Sequence, residues 1–121
     1  MKGIGGNTQA IIQMKRFTKD ENGKYVRNGT GEIVMHWQDV QTIKKGWLDL
    51  SGGDSRYTTY NAKIQESTHC FICDYVKLDE RITAENSRMM VNGKQYDIVL
   101  IDNPMELNAQ LEFYLRYVGG Q

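Results

Sequence analysis

Arg88-Met89-Met90-Val91-Asn92-Gly93-Lys94-Gln95-Tyr96-Asp97-Ile98-Val99-Leu100-Ile101 contains two apolar runs joined by Asn92-Gly93. A two-residue type I′ turn needs positive φ at both central positions, which Asn tolerates and Gly adopts at little cost. The stretch therefore predicts a β-hairpin. After Asp102-Asn103-Pro104 comes Met105–Tyr117, where Met105, Leu107, Ala109, Leu111, Phe113, Leu115 and Tyr117 alternate with Glu106, Asn108, Gln110, Glu112 and Arg116. Composition alone would favour a helix there. A helix would scatter the seven apolar residues around its circumference, whereas a strand puts them on one face, so the segment is expected to be a strand over Met105–Tyr117 with Leu107, Leu111, Phe113 and Leu115 buried. Three consecutive antiparallel strands with one buried face imply a meander within an all-β fold, inside a small β-barrel or a sandwich.

Working outward, Ala10–Phe17 reads as a first strand, Lys19–Lys24 as a turn and Tyr25–Thr30 as a polar extension of it. Gly31–Val40 alternates and predicts a second strand, with Ile33, Met35 and Trp37 toward the core and His36 toward solvent. Ile43–Leu50 forms a further apolar cluster, expected after a bend near Lys44-Lys45-Gly46. Thr68–Tyr75 is apolar on both faces and predicts a central strand. The chain of 121 residues reads as one domain, 1–121, with a flexible glycine-rich arm over about 1–9, a long loop over about 51–66 and a fraying Gly119-Gly120-Gln121 end.

Charge and composition narrow the function classes. Fifteen basic and fifteen acidic residues give zero formal net charge, whereas a chain that grips nucleic acid through its phosphates carries a basic excess. No apolar run is long enough to span a membrane and no leader pattern opens the sequence, so a soluble, intracellular product is expected. Two cysteines cannot make a disulfide scaffold.

The candidate chemical residues favour plain readings. Cys70 and Cys73 have the Cys-x-x-Cys spacing with His69 beside them, but zinc and redox sites place such a pair on a knuckle or a helix N-terminus. Inside a strand, residues three apart leave on opposite faces, so buried free thiols are expected, with no metal and no mutual disulfide. His36 reads as an exposed imidazole. Asp74, Asp79, Glu80 and Glu85 have no metal-loop spacing and read as solvated loop charge. Gly3, Gly5 and Gly6 lack the strand before and the Gly-Lys-Ser/Thr after that a phosphate loop needs. Trp37, Trp47, Tyr57, Tyr60, Phe71, Tyr75 and Tyr96 would suit a base-stacking platform, yet without a basic groove they read as core and interface residues. No nucleophile, base and oxyanion donor assemble, so no enzyme, catalytic residue or cofactor is expected.

The run Phe71-Ile72-Cys73-Asp74-Tyr75, the spacer Asp79–Thr83, the Arg88–Val99 hairpin and the final alternating strand resemble the C-terminal half of the phage head-tail joining proteins, the head completion or stopper proteins of tailed phages and prophages. Upstream, the strand at Ile11–Phe17, the Asp20–Gly23 turn, Trp37, Gly46-Trp47-Leu48-Asp49-Leu50 and the long polar loop fit the same pattern, with Asn92-Gly93-Lys94-Gln95-Tyr96-Asp97-Ile98 the most specific part. The resemblance implies a small antiparallel β-barrel with a long inserted loop, in a virion protein made in the host cytoplasm that forms a homo-oligomeric ring. Its partners would be a portal or adaptor protein on one side and a tail terminator or tail tube protein on the other. Packaged DNA would pass through without sequence-specific binding, and no membrane would be involved. By position, the family's channel loop maps to Ser51–Gln65, with Gly52, Gly53, Asp54, Arg56, Tyr57, Thr59 and Tyr60 as the gate or partner residues. Residues alone agree that a long, glycine-opened loop rich in Tyr and Thr suits a segment that orders on assembly. Zero net charge suits a channel that DNA slides through. Rival readings are a neighbouring connector or tail-terminator ring component and an oligonucleotide-binding barrel for single strands.

Overall fold

The computed structural model describes residues 3–50 and 67–120, and within them the chain is all-β. Six antiparallel strands, β1 (Thr8–Phe17), β2 (Met35–Leu50), β3 (His69–Asp74), β4 (Ser87–Val91), β5 (Lys94–Asp102) and β6 (Gln110–Gly120), close into a barrel in the order β1-β2-β3-β6-β5-β4. The β4–β5 hairpin turns at Asn92 (φ 54°) and Gly93 (φ 74°), both in the left-handed region that a type I′ turn requires.

Period-two alternation fills the interior. Ala10 and Ile12 of β1, Ile43 of β2, Phe71 and Cys73 of β3, Met89 and Val91 of β4, Tyr96 and Ile98 of β5, and Leu111, Phe113 and Leu115 of β6 form one core cluster. The connection from β3 to β4 closes one end, laying Val76, Leu78, Ile82 and Ala84 against that core. Gln41 ties this plug to β2, since its Nε2 donates to the Lys77 carbonyl and its Oε1 accepts from the Asp79 amide.

Four expectations need correction. The final strand begins at Gln110, not Met105. Pro104–Glu106 instead forms one 3₁₀ turn, and Met105, Glu106 and Asn108 take left-handed φ near 54°, which breaks extended backbone and turns Met105 and Leu107 into solvent at 87% and 67% exposure. Leu111, Phe113 and Leu115 are buried as expected. Second, Met35–Leu50 is one continuous strand, while 31–34 belongs to the preceding turn region. Its register against β1 slips twice, between Ile12/Gln13 and between Thr8/Ala10. Each bulge reverses which alternate residues face inward. Trp37 therefore shares the outer face with its partner Lys15, and Met35 is exposed. Third, residues 3–7 of the arm are docked on the barrel, with β1 starting at Thr8. Fourth, Gly119 and Gly120 pair with Gln95 and Lys94, so the end of the chain extends β6.

Residues 18–34 fold back between β1 and β2. Backbone bonds from Val26 to Thr18, Val34 to Val26 and Thr18 to Val34 pack three short extended pieces together. This compact tip prolongs the β1–β2 ribbon beyond the barrel, because β4 pairs with β1 only over Ala10–Met14.

Candidate interaction surfaces

The arm is held by four polar contacts, one of them the Asn7 amide donating to the Gly46 carbonyl at 3.1 Å. Asp74, at the end of β3, accepts the Ile4 amide at 2.6 Å and the Gly5 amide at 3.2 Å. The Trp47 indole donates to the Ile4 carbonyl at 3.1 Å. The two backbone donors hold the Asp74 carboxyl below the usual carboxylate range, with the Lys45 charge adding to them. Contact between arm and barrel is backbone against backbone at Gly6 and Gly46, where a Cβ on Gly6 would strike the Gly46 main chain. On its other side, a Cβ on Gly46 would lie 2.5 Å from the Phe71 ring. Of the glycines set aside as a phosphate loop, Gly3 and Gly6 thus serve close approach, to the Asp74 carboxylate and the Gly46 main chain, while Gly5 supplies a positive φ of 71°.

At the barrel end where β2 finishes and β3 begins, His69 stacks edge-on against Tyr96 at 5.1 Å, and Tyr96 against Tyr117 at 5.5 Å. Thr68 Oγ1 lies 2.8 Å from His69 Nδ1. Leu50 pairs with His69, so the segment 51–66 leaves and rejoins the barrel at this mouth. Gly52, Gly53, Asp54, Arg56, Tyr57, Thr59 and Tyr60 themselves lie outside the described residues, as do Met1 and Lys2.

The opposite end carries two apolar projections. On the β1–β2 ribbon, Phe17 and Met35 are register partners, and the Phe17 ring meets Tyr25 edge-on at 6.0 Å. All three are about half exposed, and Lys19 Nζ sits 5.2 Å from the Tyr25 ring. The second projection is the β5–β6 connection. Asn103 and Asn108 clasp one another there, Asn103 Nδ2 donating to Asn108 Oδ1 at 2.8 Å while the Asn108 amide donates to Asn103 Oδ1 at 3.1 Å. The clasp holds Met105, Glu106 and Leu107 outward as a knuckle.

On the outer wall, Arg88 lies 4.3 Å over the Trp37 ring, donates to Gln13 Oε1, and Gln13 donates to Asp39. Farther round, Asp102 and Glu112 stand directly opposite on β5 and β6. Glu112 accepts from Gln110 Nε2 and the Tyr114 hydroxyl, while desolvation and then the Glu112 charge raise the Asp102 carboxyl. Cys70, paired with Tyr114, lies on the same outer side, and Cys73 faces the core. The two sulfurs therefore leave β3 on opposite faces, as their spacing required. Burial pushes Cys70 up to about 12 and Cys73 to about 11, the nearby carboxylates adding to both.

The four loop carboxylates do not converge. Asp74 takes the arm and Asp79 forms a surface ion pair with Arg81 at 2.7 Å that lowers its carboxyl, while Glu80 and Glu85 are exposed. Among the described residues no group of three His, Cys, Asp or Glu side chains could hold a metal ion, and no helix is long and apolar enough to cross a membrane. His36 is exposed, with Nδ1 2.9 Å from Thr18 Oγ1. Sequence reasoning missed Asp74 as the arm's acceptor and the Met105–Leu107 knuckle. The signal for the knuckle was Pro104 between two Asn residues five apart. No family model and no curated protein matches this chain.

Proposed function

We propose that this chain is a structural subunit of a phage or prophage head-tail connector, forming a ring between portal or adaptor and tail that closes the DNA-filled head and receives the tail. The observation that carries this reading is the outward presentation of large apolar side chains on a closed barrel. Phe17, Met35, Met105 and Leu107 project at one end and Leu50 at the other. Closing the barrel satisfies the sheet's edges and core, so those side chains are surplus to the folding of one copy and fit subunit contacts instead. Support also comes from the entry and exit of segment 51–66 at one mouth, where a lumen-facing loop would have to start. The test is complementation. Heads assembled without the protein should lose DNA and stay tailless, and adding the purified chain should restore both DNA retention and tail attachment. Heads that hold DNA and take tails equally well without it would refute the reading.

Arg88 stacked over Trp37 beside Lys15 favours a second reading, a barrel that binds single-stranded nucleic acid on its outer wall. Such binding falls steeply with salt. A titration with a single-stranded oligonucleotide at low salt that shows no binding excludes it.

A further inference from the structure

We propose that the Asn103–Ala109 knuckle of one copy seats on the β1–β2 ribbon of a second copy, Met105 and Leu107 against Phe17, Tyr25 and Met35, with Glu106 between Lys15 and Lys19. The inference rests on the ring reading for closure of the assembly, while the contact itself is argued from the two surfaces.

The knuckle is preformed and strained. Met105, Glu106 and Asn108 all sit at φ near 54°, a left-handed conformation that Asn tolerates but that strains Met105 and Glu106, where Cβ crowds the following carbonyl. The reciprocal Asn103–Asn108 clasp maintains it. Within one copy that strain gains no burial, since Met105 and Leu107 are the two most exposed large apolar side chains beside Leu50. Strain that survives without internal reward marks a functional segment.

The ribbon is the complementary surface. Phe17, Tyr25 and Met35 make a half-exposed apolar plate, and the cations on its face, Lys15, which shares the parity of Phe17, and Lys19, which lies over Tyr25, enter no ion pair among the described residues. The knuckle bears Glu106 at its tip and the Asp102 and Glu112 carboxylates at its base. An acidic knob and a cationic plate attract one another and fix orientation.

Topology commits the occupant to a second copy. In the barrel order β1-β2-β3-β6-β5-β4, the β1–β2 ribbon and the β5–β6 knuckle lie on opposite sides. Both lie at the same end, because Phe17, Ser87 and Asp102 finish or begin their strands there. One copy cannot bring its own knuckle to its own ribbon. Copies joined knuckle to ribbon form a heterologous contact, which propagates until rotation closes a ring.

The experiment is disulfide trapping with Tyr25→Cys and Leu107→Cys under mild oxidation, reading products by non-reducing electrophoresis and association by sedimentation. Mixing the two single variants should yield a cross-linked pair that neither yields alone, and a chain carrying both substitutions should yield a ladder. Leu107→Asp should weaken association at least about tenfold, the loss expected for a central apolar anchor. Glu106→Lys should weaken it too, and pairing that variant with Lys19→Glu should restore it. All four changed sites, Lys19, Tyr25, Glu106 and Leu107, are exposed, so an unaltered strand spectrum by circular dichroism verifies folding. Tyr25→Cys linking only to itself, or a monomer at concentrations of about 100 μM, overturns the contact. Rings that form without the Tyr25–Leu107 cross-link overturn the contact and leave the connector reading standing. The ladder together with heads indifferent to the protein supports the contact and removes the connector reading.

Discussion

Phe113 has no exposed surface, and its ring lies 6.4 Å from that of Phe71 across the β3–β6 pairing. Phe113→Ala empties space that closed strands cannot collapse into, so it should cost roughly 3–5 kcal/mol, measured as a lower denaturant midpoint at constant slope. The two thiols give a residue-level test of burial. Folded Cys70 and Cys73 titrate near 12 and 11 against an ordinary 9.0. Above about pH 9 the unfolded chain releases these protons while the folded chain keeps them, so stability should fall as pH rises from about 9 toward 11. Cys73→Ala should remove part of that slope. At about pH 8 neither thiol should react with a disulfide reagent until denaturant is added. Their opposite faces were legible because period two is local geometry. Their burial was legible too, because a run that is apolar on both faces reads as a central strand; which strands flank β3 was not.

At the scale of elements, the hairpin and the core half of β6 were legible because turn chemistry and alternation are written in neighbouring residues. Trp37 was misplaced for a reason of the same kind. A bulge changes parity at one residue, and the two in β2 arise from its fit against β1, which no residue in β2 announces. Met105 and Leu107 extended the alternation of β6 by coincidence of pattern, and Pro104 with the Asn103–Asn108 clasp overrode it. The docked arm was illegible because its acceptor is remote, with Asp74 seventy positions from Ile4. Asp74→Ala should release it, seen as faster hydrogen exchange at the Ile4 and Gly5 amides and altered Trp47 emission, with the barrel core still protected. The lowered Asp74 carboxyl sets the pH sign. Docking is fully present above the ordinary carboxylate value of 3.8 and is lost only as pH falls through the lower folded value. Loss of arm protection already at pH 5 would refute the role given to this carboxylate.

For the whole molecule, the strands that segment 51–66 joins are already partners at Leu50 and His69. Replacing 51–66 by a short glycine turn should keep the barrel folded and shift its stability by no more than about 1–2 kcal/mol, since shortening a loop changes closure entropy only logarithmically. On the connector reading the same variant should fail to retain DNA in completed heads. Unfolding of the shortened chain would show that 51–66 belongs to the core. By itself the sequence determined that the described chain is all-β, where the β4–β5 turn lies, that Cys70 and Cys73 leave β3 on opposite faces, and that Leu111, Phe113 and Leu115 of β6 alternate inward, because these follow from backbone preference and period two. Closure in the order β1-β2-β3-β6-β5-β4, the parity of β2, the docking of the arm on Asp74 and the placing of knuckle and ribbon on opposite sides were decided only by tertiary structure. Each of those depends on which distant backbones meet, and that is a property of the closed barrel as a whole.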